Sequence, residues 1–258
     1  MDYQTITLEI TDDLAVLTLN RPDVMNALNA QMRAEILHGF KTAEGHARAL
    51  VLTGAGRAFC SGQDLGSDSS AASLDLERTL RDEYTPMLRK LNDCAIPTVA
   101  AVNGAAAGAG ANLALAADVV IAAESAIFLQ AFTRIGLIPD AGGTYWLPRQ
   151  VGMARAMAAS LFAEPVSATQ AAQWGMIWEA VPDADFDSHW RARAAHLAQG
   201  PTVAYRHLKE ALRASHDNSY DAQLALEARM QGKCGDTRDF REGVVAFQEK
   251  RKARYEGR

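Results

Sequence analysis

Three cysteines in 258 residues are too few to staple a fold. Cys60, Cys94 and Cys234 share no metal-ligand spacing and cannot all pair, so they read as reduced thiols of a cytoplasmic protein. The six histidines (His38, His46, His189, His196, His207 and His216) have neither a carboxylate partner pattern nor metal spacing around them, and no metal is expected. A secretory signal is missing as well: the opening MDYQTITLEITDD has no basic region followed by an apolar core. No apolar run reads as a membrane span. The nearest, NGAAAGAGANLALAADVVIAAE, is mostly Ala and Gly, is broken by Asn112 and Asp118, and reads as a buried helix followed by a strand. There is no basic excess either; a net charge of -5 argues against a broad nucleic-acid surface. What is left, 48% hydrophobic and 22% charged, is the composition of a soluble globular chain long enough for one large domain or one domain with an appendage.

Short β-branched runs alternate with longer helical patterns. LAVLTLN (14–20), ALVLTG (49–54), TVAAVNG (98–104) and DVVIAA (118–123) read as strands, with WEAVP (178–182) a weaker one. Helical patterns cover roughly 27–44, 74–93 and 108–117. That alternation predicts an α/β fold with strands buried on both faces. Beyond about residue 142 the texture becomes nearly all helical. SATQAAQWG places Ser167 and Gln170 at capping-box spacing and Gly175 at a helix stop; further helices are expected at about 185–198, 201–215, 219–232 and 237–253. The organisation predicted is an α/β core over 1–180 and a helical segment over 181–258. GSDSSAAS (66–73) is the one low-complexity stretch and reads as a surface loop.

Three glycine-bearing turns lie at or near strand ends: GRAFCSGQDL (56–65), VNGAAAGAGANLALAAD (102–118) and PDAGGT (139–144). The second contains G-x-G, but the third glycine of a dinucleotide fingerprint is missing. A glycine-rich helix start can instead offer unobstructed N–H groups, with the helix dipole behind them, to a developing negative charge. Asp140, in RIGLIPDAGGTYWLPR, admits two readings. After a proline and before AGG it is a good helix N-cap. Its surroundings, Ile135, Leu137, Ile138 and Pro139, are also apolar enough to desolvate a carboxylate and raise its pKa toward that of a useful base.

Five stretches in order, NRPDVMNALN, AFCSGQDL, PTVAAVNGAAAGAGANLALAADVVIA, IGLIPDAGGTYWLPR and AFQEKRKARY, together resemble the enoyl-CoA hydratase/isomerase (crotonase) superfamily over essentially the whole chain. The resemblance implies a spiral of ββα units and a helical C-terminal region that trimerises and closes the acyl-CoA pocket. It implies a trimer or a dimer of trimers, and a chemistry in which a thioester enolate is stabilised. By motif position the oxyanion donors are the backbone N–H groups of Gln63 and Ala109, and the acyl-CoA thioester is the only partner besides further copies of the chain. Coenzyme A enters as part of the substrate, so no separate cofactor is implied. Residues placed at the substrate by the same motifs are Asn26, Ala27, Leu28, Ala58, Ser61, Gly62, Asp64, Leu65, Gly108, Asn112, Phe132, Tyr145 and Trp146. Lys250, in the basic FQEKR, matches a lysine that meets the cofactor's phosphates, although a cation at a solvated helix end favours the dipole in any case.

One departure stands out. The two glutamates with which family hydratases hold and activate water fall at Asn112 and Phe132, and neither is a carboxylate. Asp140 occupies a slot where certain family isomerases, and a dehalogenase that uses it as a nucleophile, carry an aspartate. Among such members the texture is closest to the ring-1,2-epoxyphenylacetyl-CoA isomerases of phenylacetate degradation. Phe128, Phe132, Tyr145 and Trp146 would then line a pocket for a flat ring, unless they are plain core packing. The function expected is an acyl-CoA isomerase with Asp140 as proton shuttle. The rivals are a hydratase with unusual water placement and a catalytically silent thioester binder in which Asp140 is a cap.

Overall fold

The computed structural model describes residues 2–66 and 75–258. Strands β1 (Ile6–Thr11) and β2 (Leu14–Leu19) form a hairpin followed by α1 (Ala30–His46). Next come β3 (Ala49–Gly54), β4 (Ala58–Cys60), α2 (Leu76–Thr79), a π turn over Leu80–Tyr84 and α3 (Thr85–Asn92). The third unit is β5 (Thr98–Val102), β6 (Ala105–Ala107) and α4 (Ala109–Leu115). The fourth, β7 (Val119–Ala123) and β8 (Ile127–Leu129), leads through a 3-10 turn, Ala131–Ile135, to α5 (Gly143–Val151) and α6 (Met153–Phe162). β9 (Val166–Ser167), α7 (Ala168–Trp174) and β10 (Glu179–Val181) complete the sheets. The remaining helices are α8 (Phe186–Ala198), α9 (Thr202–Ala214), α10 (Tyr220–Gly235) and α11 (Arg238–Glu249).

From the second unit on, one strand of each pair joins a six-stranded sheet, β1-β2-β3-β5-β7-β10, and its mate joins a four-stranded sheet, β4-β6-β8-β9. After the β1–β2 hairpin every pairing in the larger sheet is parallel. The result is the crotonase-like ββα spiral. Its central strands are buried on both faces, which is why they read as unbroken apolar runs. Alternation sorts their side chains: Leu50, Leu52, Ala100, Val102, Val120 and Ala122 enter the main core between the sheets, while Val51, Val99, Ala101, Ile121 and Ala123 pack on Phe186 and Trp190 of α8.

α4 threads the main core with all seven of its residues buried. Its approach to β4 requires glycine: a Cβ on Gly110 would run into the Cys60 carbonyl and thiol. The Ala/Gly-rich run holds the buried helix and following strand that its composition predicts, and also the short strand β6 ahead of them. Among the described residues no helix is long and apolar enough to cross a membrane. α9 is tied to the core by charge, since Lys209 donates to the Cys94 and Ile96 carbonyls and pairs with Asp118 at 2.7 Å, and Arg213 pairs with the same aspartate at 2.7 Å.

Several boundaries differ from the sequence reading. α1 begins at 30 rather than 27 because the Leu28 N–H bonds the Gly62 carbonyl and Asn29 caps the helix through Met32 N. The last helix stops at Glu249, where Lys250 turns left-handed at φ 54°. β1 and the entire four-stranded sheet are absent from that reading; strands of two or three residues are too short to show a period. The Ser167 cap and the Gly175 stop are as the spacing predicts. GSDSSAAS lies, apart from Gly66, outside the described residues.

Candidate active site

The site assembles where three turns meet around the N-terminus of α4. The first is the segment after β4. Leu28 N donates to Gly62 O at 2.8 Å and Leu28 O accepts from Asp64 N at 3.2 Å, a one-residue parallel bridge centred on Gln63. Both bonds use the peptides flanking Gln63, so its own N–H is turned away from Leu28. Gly62 sits at φ 96° with its Cα so close to the Ala107 carbonyl and the Ala109 nitrogen that a Cβ would stand 2.8 Å and 3.4 Å from them. The second turn is Gly108, at φ 52°, the N-cap of α4. Among the described residues neither the Gln63 nor the Ala109 N–H has an acceptor in the protein. Two free donors on neighbouring turns, one at a helix N-terminus, are the kind of groups an oxyanion receptor requires.

Asp140 comes from the third turn. It caps nothing: the residue before α5 is Gly142, which has no side-chain cap, and only the Asp140 main-chain oxygen takes part, accepting from Gly143 N at 2.8 Å. The N-cap alternative is overturned, because no N–H of the first helical turn donates to the Asp140 carboxylate. Its Oδ1 is buried with no hydrogen-bond partner. Burial without compensation pushes the carboxyl up to about 6. Asn112, wholly buried on α4, donates from Nδ2 to the Asp140 carbonyl at 2.7 Å and accepts on Oδ1 from buried Gln130 at 2.8 Å. The helix that presents the Ala109 N–H therefore also holds the Asp140 peptide. Phe132 is buried with its ring edge facing the Gly108 Cα, an apolar wall beside the Ala109 donor.

Other predicted site residues have different placements. Asn26, at 0% exposure and φ 56°, spends its amide on the Ala55, Ala58 and Phe59 carbonyls and its oxygen on Arg21 N; it shapes the turn. Leu28 and Ala58 are buried and Ala27 nearly so, whereas Leu65 is exposed. Ser61 donates from N to Met25 O, a bond that is not with the site. Asp64 accepts Arg21 Nη1 at 2.7 Å. Of the four aromatics expected to frame a ring, Phe128 belongs to the main core. Trp146 packs on Gly142, and Tyr145 is exposed beneath the Arg149 guanidinium at 3.7 Å. Only Tyr145 and Trp146 stack among these four, edge to face at 4.9 Å, so a single aromatic box does not form. Lys250 is exposed beyond α11, and within the described residues no hydrogen bond or ion pair engages its side chain. Cys60 lies under the turns, but burial pushes its thiol up to about 12, which removes it as a nucleophile. Among the described residues no three metal-ligating side chains cluster.

Sequence reasoning missed Arg33 and Tyr84, which bond Gln63, Glu83, which pairs with Arg33, and Gln130, which bonds Asn112. Arg33 and Gln130 are buried polar residues inside apolar stretches, a signal that a single sequence does not separate from an exposed position.

A family model described as enoyl-CoA hydratase/isomerase matches residues 9–258. The chain belongs to the enoyl-CoA hydratase/isomerase family. That family, the crotonase superfamily, consists of enzymes acting on CoA thioesters. The chain is 65% identical over its full length, and the full length of the relative, to a probable enoyl-CoA hydratase of Rhodobacter capsulatus. It is 43% identical, over 98% of each chain, to the 1,2-epoxyphenylacetyl-CoA isomerase of Escherichia coli. A crystal structure of a putative enoyl-CoA hydratase/isomerase from Mycobacterium abscessus superimposes with a TM-score of 0.93 at 37% identity, covering 98% of this chain and 100% of that one. Membership of the hydratase/isomerase family fits the two free N–H groups, which suit a thioester enolate.

Proposed function

We propose that the chain is an acyl-CoA isomerase that shifts a double bond, or rearranges a ring, through a thioester enolate. The observation that carries this reading is the buried, partnerless Oδ1 of Asp140, on a turn held by the same helix that presents the Ala109 N–H. A thioester carbonyl seated on the Gln63 and Ala109 N–H groups makes its neighbouring C–H acidic. Asp140 takes that proton, the electron pair moves to the carbonyl oxygen, and each N–H contributes roughly 3–4 kcal/mol to holding the charge. Protonated Asp140 then returns the proton at another carbon as the carbonyl re-forms. Atoms are conserved, and no water is consumed. A carboxyl near 6 is mostly ionised at neutral pH yet more basic than an ordinary aspartate, which suits both directions of transfer.

Absence of carboxylates at Asn112 and Phe132 supports isomerisation over hydration: one side chain is committed to the Asp140 peptide, the other is a phenyl ring. The second reading, hydration of enoyl-CoA, is favoured by the name of the Rhodobacter relative. The two separate when purified protein is given 3-enoyl-CoA, 2-enoyl-CoA and 1,2-epoxyphenylacetyl-CoA and the products are identified by mass and absorbance. Isomerised product with little 3-hydroxyacyl-CoA is expected; rapid formation of 3-hydroxyacyl-CoA would sink the isomerase reading, and no product at all would leave a silent thioester binder.

In the same proposal 1–180 is the catalytic core and 181–258 mediates assembly into a trimer or dimer of trimers. Leu208, Leu212, Phe240 and Phe247 are exposed on the last helices, which supports contact with further copies. Lys250, free at the end of α11, would then meet the phosphates of coenzyme A.

A further inference from the structure

Gln63 serves the proposed chemistry through its backbone, yet its side chain is the most heavily engaged in the turn. Oε1 accepts from the Tyr84 hydroxyl at 2.7 Å and from Arg33 Nη1 at 2.9 Å, and Nε2 donates to the Asp64 carbonyl at 2.9 Å. Arg33 is 4% exposed. Its Nη1 also donates to the Leu28 carbonyl at 2.7 Å, the oxygen that accepts the Asp64 N–H in the bridge. Its Nε and Nη2 fork onto Glu83 at 3.0 Å and 2.5 Å, and its guanidinium lies 4.9 Å from the centre of the Tyr84 ring. On the other edge Arg21 links the Ala27 carbonyl at 2.5 Å to Asp64 at 2.7 Å.

Glu83 and Tyr84 are consecutive residues of the π turn, and both reach Arg33 or its partner. A π turn inside an α-helical run costs hydrogen-bond geometry and is found preferentially at functional sites. Here two consecutive residues of the turn meet Arg33 and its partner Gln63. A buried Arg–Glu pair is by itself weak evidence of stabilisation, because desolvation offsets the attraction; such pairs are better explained where they define a geometry. The geometry defined is that of the peptide carrying the Gln63 N–H. Because Glu83 neutralises Arg33, the pair adds little field at the oxyanion and acts through position. Burial, with the nearby Cys60 and Asp140 groups adding and Arg33 opposing, pushes the Tyr84 phenol up, so it stays a neutral donor to Gln63 and stands within electrostatic reach of the base.

We infer that Arg33, Tyr84 and the Gln63 side chain form a clamp that fixes the direction of the Gln63 N–H toward the enolate oxygen, making all three positioning residues for the reaction. The inference rests on the oxyanion reading above. Tyr84→Phe removes one donor with almost no change of shape, and Gln63→Met keeps length while losing all three bonds; Arg33→Lys keeps a cation for Glu83 but cannot bridge Gln63 and Leu28. Two readouts are taken on the full-length protein. In amide hydrogen exchange, peptides covering 61–66 should exchange faster in Tyr84→Phe and Gln63→Met, while peptides covering β5 and β7 stay as slow as in the wild type. In steady-state isomerisation of 3-enoyl-CoA, kcat should fall roughly 10–100-fold with KM within about threefold, the pattern of a misdirected transition-state donor.

Unchanged exchange and unchanged kcat in both variants would overturn the clamp. So would a loss of protection spread over the whole molecule, or a change confined to KM, since either makes the side chains merely structural. Asp140→Asn is measured alongside. If it turns over normally, the base assignment fails while exchange at 61–66 still judges the clamp. If it is dead while Tyr84→Phe and Gln63→Met are normal by both readouts, the clamp alone fails.

Discussion

The side-chain amide of Asn112 donates to the main-chain oxygen of Asp140 at 2.7 Å, and its own oxygen accepts from Gln130 at 2.8 Å. A residue at a slot where the family resemblance points to a water-activating glutamate is thus used to hold the next turn in place. One helix, α4, carries the proposed oxyanion donor at its first residue and the anchor of the proposed base one turn later, so helix geometry sets the spacing of donor and anchor.

Asp140→Asn should fold and bind acyl-CoA while isomerisation falls by ~10²–10⁴, the usual cost of losing a general base. Turnover at saturating substrate, alongside a melting curve, checks this. Near-normal turnover would make Asp140 structural, and the search for a base would begin again.

The same substitution tests linkage. Burial raises the folded pKa of Asp140 from 3.8 to about 6, so the neutral acid is the form the fold prefers. Its favourable contribution is complete below the unfolded pKa and is lost as pH rises through about 6. Asp140→Asn should therefore melt higher than the parent at pH 8, with the gap narrowing by pH 5. A gap that widened toward acid would contradict the assignment. In the parent enzyme kcat/KM should climb with pH through about 6 and level off, as an ionised base requires.

Asn112→Ala leaves the Asp140 carbonyl and the Gln130 amide without their partner in the core. A loss of about 1–3 kcal/mol in denaturant unfolding is expected, with a larger proportional loss of kcat than of acyl-CoA affinity. Asn112→Asp should do worse for activity, because a carboxylate facing the Asp140 carbonyl cannot donate. Equal activity of the two variants would show that donation to Asp140 is not what matters.

Gly110→Ala places a methyl group against the Cys60 carbonyl and thiol, backbone that cannot yield without moving β4. We expect a variant that is insoluble or destabilised by at least ~3 kcal/mol, in the range of severe overpacking. Gly232→Ala, whose Cβ would meet nothing within 4 Å, is the control and should be neutral or better.

Assembly is checked by multi-angle light scattering at micromolar concentration, where a mass three or six times 27.8 kDa is expected. Polar substitution of Phe240 and Phe247 should shift that mass downward if those rings sit between copies. A monomer in the unmodified protein would remove the proposed role of residues 181–258.

Much of this molecule was legible in its amino-acid order. The buried parallel strands announced themselves because a strand covered on both faces must be largely apolar, as the ALVL of 49–52 and the VAAV of 99–102 are. The glycines of SGQDL and AAAGAGA marked turns that need positive φ or a missing Cβ, and both needs are met at Gly62 and Gly110. The raised pKa of Asp140 agrees with the reading, but Ile135 and Ile138, two of the apolar neighbours invoked for it, are exposed, so burial in the folded turn and not those side chains desolvates the carboxylate. What tertiary structure alone decided was which competing role each polar residue takes. A cap and a desolvated carboxylate look the same in PDAGG; they part only when the helix starts at Gly143 and leaves the carboxylate behind. Arg33, Tyr84 and Gln130 carry no local signature, because their partners lie 30, 21 and 18 positions away and become neighbours only when the spiral closes. Local sequence fixes backbone preference and burial; a hydrogen bond between distant side chains depends on packing, and packing is a property of the whole chain.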